Sequence, residues 1–149
     1  MNNPEPASTK IPHFTMPMRG LILISGMMTV AWGAFFKWFG PYLVNWLAMN
    51  SGPGLEVDTV IYGSFVLIVG FLLFLSAFYP ISWIYLLMAG IGGKLISAVW
   101  FMIGYIEVLG WNKRTLFHLG FNELFWLIPL SLILWKALEV KKYLQSLPE

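Results

Sequence analysis

Few residues in this chain could do chemistry, because only 11% of its 149 residues are charged and it has two histidines and no cysteine. Lys94 stands out. It sits inside the apolar run from Ile81 to Ile106, twelve residues past Ser82, which is about 18 Å along a helix. A lysine centred in a bilayer costs at least ~2.5 kcal/mol, so it should face other helices or a wet cavity. There it would act as a fixed positive charge or a proton-accepting amine in a binding cavity, or as one half of a structural pair. At helical periodicity Lys94, Ala98, Phe101 and Tyr105 share one face.

A second polar stripe lies further on, where His118, Asn122, Trp126, Pro129 and Lys136 align and Glu123 is one residue off the line. Asn122 and Glu123 read as the start of a helix. A carboxylate there meets the positive end of the macrodipole and can satisfy free backbone N–H groups. The rival reading gathers them with His118, Lys37 and Glu107 into a polar cluster under the outer surface, where Glu123 and His118 could form an acid–base pair. The candidate ligand-binding set is therefore Lys37, Lys94, Tyr105, Glu107, His118, Asn122, Glu123 and Trp126. Tryptophan and phenylalanine walls with a few polar groups would suit a small-molecule site, and His118 could make binding respond to low pH.

Other chemistries are set aside. His13 and His118 are far apart with no metal-ligand spacing around either, which argues against zinc and paired-histidine haem ligation. The lack of cysteine removes disulfides, thiolate catalysis and iron–sulfur clusters. No glycine-rich phosphate loop follows a strand. No catalytic residue, metal or cofactor is expected. The net charge of +2 is small, and cations near membrane segments report orientation, so no nucleic-acid partner is expected.

The elements that must position these groups are four long apolar runs, Leu21 to Phe36, Val57 to Phe78, Ile81 to Ile106 and Leu124 to Leu138. With 58% hydrophobic residues the natural solvent is a bilayer, which a helix crosses in about 20 residues. The expected fold is all-α, an integral membrane four-helix bundle over residues 18–143. It is preceded by an irregular arm at 1–17, holding Pro4, Pro6, Pro12 and Pro17, and followed by a tail at 144–149.

The first span reads as retained rather than cleaved, running from Met18 to about Phe39, where Gly40–Pro41 interrupts it. Tyr42 to Met49 is amphipathic and suited to the interface. Asn50 to Gly54 is a loop, and Tyr79–Pro80 a tight turn before a third span from Ser82 to about Val108. Gly110 to Gly120 reads as a third loop, and the fourth span as Phe121 to about Tyr143 with a kink at Pro129. Small residues at Ser25, Thr29 and Gly33, at Gly63, Gly70 and Ala77, and at Ala89, Gly93 and Ser97 mark where backbones can approach. Trp38, Trp46, Trp83 and Trp111 fall near span ends, as an aromatic belt requires.

Arg19-Gly20-Leu21, Gly26, Gly33 through Gly40 with Lys37 and Trp38, and Gly63 through Val69-Gly70-Phe71-Leu72-Leu73-Phe74 form one pattern over the first half of the chain. In these residues the chain resembles the DoxX-like family of small four-helix membrane proteins. The family's acidic residue inside the second helix is replaced here by Ser64, Phe65, Val66 and Leu67. The resemblance implies a multi-pass protein of a bacterial inner membrane, accessory to respiratory or quinone-associated machinery. The leading functional reading is an accessory subunit without its own catalytic centre, whose partners are membrane lipids, a lipid- or quinone-like ligand, and a larger complex or further copies of itself. The alternatives are a small oligomeric transporter using Lys94 and Glu123, or a membrane enzyme acting on a lipid or isoprenoid.

Four spans put both termini on one side. Lys10, Arg19, Lys136, Lys141 and Lys142 fall there, against Lys37, Lys113 and Arg114 opposite, which favours cytoplasmic termini. Reporter fusions at Glu149 and in the Asn50–Gly54 loop are expected to give opposite locations; equal signals would refute this topology.

Overall fold

The structure is a computed structural model that describes residues 11–49 and 56–147. Most of the N-terminal arm and the Asn50–Gly54 loop lie outside the described residues. Helix α1 spans Met16–Trp38, α2 Gly40–Ala48, α3 Val60–Ser76, α4 Ile84–Gly104, α5 Ile106–Leu109, α6 Lys113–Phe117 and α7 Phe125–Ser146. A π-helical segment, His118–Leu124, joins α6 to α7, and no strand occurs among the described residues.

Among the described residues, three helices are long and apolar enough to cross a membrane: Met16–Trp38, Ile84–Gly104 and the continuous Lys113–Ser146. The 17-residue α3 is apolar but shorter, about 25 Å long. α3 packs against α1 and α4, and α7 packs against α4 and α1.

The breaks follow the local sequence. Pro17 and Pro41 occupy the first turns of α1 and α2, where a missing N–H costs nothing. Gly110 ends α5 with φ 73°, a conformation open to glycine. The expected loop from Gly110 to Gly120 is much shorter, because Asn112 starts a helix at Lys113. Its side chain accepts from the backbone N–H groups of Arg114 and Thr115 at 2.8 and 3.0 Å, and Thr115 Oγ1 accepts from Asn112 N at 3.0 Å. This reciprocal cap satisfies the helix-start donors eight residues before Phe121. The last helix also runs to Ser146, past Tyr143.

The tightest packing joins α1 to α3. A Cβ on Gly26 would come within 2.6 Å of Phe74 N, on Gly33 within 2.5 Å of Leu67 N, and on Gly70 within 2.5 Å of Val30 N. On Gly63 it would overlap the backbone of Lys37. These four pairs run antiparallel in a single register, with the glycines of each helix seven residues apart. That is the repeat of a left-handed crossing in which small residues let backbones meet. On α4, Gly90 and Gly93 receive Leu73 and Val69 of α3. Ala89, expected on that row, is exposed and Gly90 takes its place, while Gly93 and Ser97 are buried as expected. The four tryptophans expected near span ends are all exposed.

Gly33→Ala and Gly70→Ala are each expected to lower unfolding stability in detergent by about 1–3 kcal/mol, the usual effect of overpacking. Gly92→Ala, with open space around it, should be neutral or stabilising. Equal effects at all three would contradict the close α1–α3 approach.

Candidate functional site

Lys94 lies at the middle of α4, and its side chain is completely buried. An ammonium has three N–H donors, and here each has an acceptor. Nζ donates to Thr29 Oγ1 on α1 at 3.1 Å, to the Asn122 carbonyl at 2.9 Å, and to Glu123 Oε2 at 3.5 Å. Thr29 can accept because its own hydroxyl hydrogen goes to the Ser25 carbonyl, 2.7 Å away. The carboxylate is equally well held. Glu123 Oε2 also accepts from Ser97 Oγ at 2.7 Å, and Oε1 accepts from Asn122 Nδ2 at 3.2 Å. Ser97 Oγ lies 2.8 Å from the Lys94 carbonyl as well, so its single hydrogen serves two oxygens. Lys94, Thr29, Ser97, Asn122 and Glu123 are each at most 1% exposed.

The π-helical segment builds the far wall of this cluster. Its hydrogen bonds reach one residue further than in an α-helix, as where Phe125 N donates to Gly120 O. The wider turn brings His118, Leu119, Asn122 and Glu123 inward together. In a regular helix Glu123 would fall beside the stripe; here it faces Lys94. Capping does not explain Asn122 and Glu123, since the helix begins ten residues before Glu123, at Lys113. Past this segment the buried line runs through Trp126, Leu130, Ile133, Ala137 and Val140. Pro129 is only partly buried, and Lys136 turns outward to pair with Glu139 at 2.8 Å.

His118 is buried among rings. Its centroid lies 4.5 Å from Phe101, 5.0 Å from Trp32 and 5.3 Å from Phe36. Among the described residues neither ring nitrogen has a hydrogen-bond partner, so the Glu123–His118 acid–base pair is not formed. Ser25 Oγ, Asn122 Oδ1 and Trp126 Nε1 are also buried without a partner among these residues. Tyr105 belongs to the same aromatic group, stacked on Phe101, and its hydroxyl donates to the Asp58 carbonyl at 2.8 Å. Trp126 sits in a separate apolar cluster with Ile22, Leu73 and Leu130. Lys37 lies over the Trp38 ring at 5.4 Å, and Glu107 is exposed on α5; neither reaches the cluster.

The structure thus unites Lys94, Asn122 and Glu123, places His118 and Tyr105 in an adjoining aromatic group, and leaves Lys37 and Glu107 outside. Thr29 and Ser97, which their spacing marks as packing residues, are also polar partners of the ion pair. The available signal was a hydroxyl three residues after Lys94, together with a Ser–Thr pair one turn apart inside an apolar run.

An apolar groove of about 390 Å³ opens between α1 and α2, lined by Met28, Ala31, Trp32, Phe35, Leu43 and Trp46. Trp32 forms part of its wall and meets His118. No family model matches the chain, and neither a curated protein nor a solved structure matches it.

Lys94→Met leaves the Glu123 carboxylate buried without its cation and is expected to cost about 3–5 kcal/mol of stability. Adding Glu123→Gln removes the stranded charge and keeps hydrogen bonding to Ser97 and Asn122, so the double variant should recover most of the loss. A double-mutant cycle in detergent checks this, and strictly additive losses would rule out the coupling.

Proposed function

We propose that this chain is a four-helix integral membrane protein of DoxX-like type with both termini cytoplasmic, and that it serves as an accessory subunit binding a lipid- or quinone-like ligand without a catalytic centre of its own. The contacts of α3 with α1 and α4, and of α7 with both, support four membrane helices. The shortfall of α3 can be met by local bilayer thinning. The observation that carries the ligand reading is the groove between α1 and α2. It is walled by two tryptophans, a phenylalanine and aliphatic side chains, a lining suited to an apolar ring or chain. The Lys94–Glu123 pair, by contrast, is closed inside the helices, where Thr29, Ser97 and Asn122 satisfy it and it acts as a clamp.

Filling the groove tests this. Ala31→Trp should abolish the thermal stabilisation that a short-chain quinone or a phospholipid gives the wild type, while leaving the unliganded melting temperature within a few degrees. Unchanged stabilisation by both ligands would refute the reading.

A second reading, proton-coupled transport, is favoured by the orphaned polar atoms of His118, Asn122 and Ser25 near the ion pair. Buried polar groups usually find partners, and a transient water chain could supply them. On that reading, liposomes should show pH-driven flux that disappears in Lys94→Met; its absence in the wild type would dismiss transport.

A further inference from the structure

The ligand can be narrowed by what stands beside the groove. Arg114, in the first turn of α6, places its guanidinium 4.7 Å over the ring of Trp46, a groove-lining residue. One nitrogen, Nη1, donates to the Trp46 carbonyl at 2.7 Å. Among the described residues its Nε and Nη2 make no hydrogen bond, and neither Arg114 nor the adjacent, exposed Lys113 forms an ion pair. A cation with free donors thus stands beside an apolar groove that is open to the outside of the helices, and the next residue in sequence, Lys113, is a second exposed cation. A guanidinium with free donors matches a phosphate diester in shape and charge. Trp46 couples the two regions, one ring face toward the cation and its body in the groove wall.

We propose that this corner binds an anionic phospholipid, with one acyl chain along the α1–α2 groove and its phosphate at Arg114 with help from Lys113. The inference rests on the groove reading above and adds the headgroup. A purely structural role for Arg114 exists, because it caps the C-terminal end of α2 through the Trp46 carbonyl and favours that end of the helix dipole. Such a role predicts no preference among lipid headgroups.

The test uses the full chain in detergent, with native mass spectrometry of lipid retention. Phosphatidylglycerol and phosphatidylcholine of identical chains are compared. The wild type should retain phosphatidylglycerol about five- to thirtyfold better, the range set by one to two favourable cation contacts. The preference should shrink as salt rises. Lys113→Gln with Arg114→Gln should erase the preference, and Ala31→Trp should lower retention of both lipids. Equal retention of the two lipids by the wild type overturns the inference, and this arm decides alone should the charge variant not fold. Persistence of the preference in a folded charge variant overturns it too. If Ala31→Trp reduces both lipids but the headgroup makes no difference, only this inference fails. If Ala31→Trp changes neither, the groove reading fails with it.

Discussion

An ammonium in the middle of an apolar helix must find acceptors, and lipid tails offer none. That constraint organises the interior of this protein. Lys94 meets it by drawing on α1 through Thr29 and on the π-helical segment through the Asn122 carbonyl and Glu123. The carboxylate has the matching requirement, and Ser97 and Asn122 fill it. Since the donors and acceptors come from three different elements, the cluster is satisfied only when those elements stand in one arrangement. Buried pairs of this kind contribute little net stability, yet losing one partner strands a charge at a cost of about 3–5 kcal/mol.

The glycine register works alongside the ion pair. Gly26, Gly33, Gly63 and Gly70 allow α1 and α3 to meet backbone to backbone, and Gly90 and Gly93 seat α4 on α3. Close packing is a principal attraction between helices in lipid, where apolar side chains gain nothing by leaving acyl chains for one another. The clamp then links α4 to α1 and to the last helix. The polar cluster is closed inside the helices, whereas the α1–α2 groove and Arg114, where we propose a lipid binds, lie at the surface.

Much of this was legible in the sequence, and the reasons differ by residue. Lys94 was conspicuous because nothing apolar explains a lysine there, and its face with Ala98, Phe101 and Tyr105 followed from helical periodicity; all four are buried. The seven-residue row at Gly63 and Gly70 was equally plain. Periodicity failed at Glu123, because a π turn shifts the phase of every later residue and no composition cue marks it. The same shift turned Pro129 and Lys136 off the buried line. The helix start was misplaced for another reason: Asn112 and Thr115 sit in a polar stretch whose composition reads as loop, although their spacing closes a cap. Lys37 and Glu107 carry charges at helix ends and were grouped by depth alone, which says nothing about direction.

The central claim is that Lys94 and Glu123 are partners inside the protein. Solid-state NMR in lipid bilayers, with 15N in the lysine side chain and 13C in the glutamate carboxyl, measures it directly. The Lys94 signal is identified by its loss in Lys94→Met. A resolvable through-space dipolar coupling between Lys94 Nζ and the Glu123 carboxyl carbon is expected, consistent with Nζ standing 3.5 Å from Oε2. A Lys94 signal coupled to lipid or water protons, with none to Glu123, would contradict it.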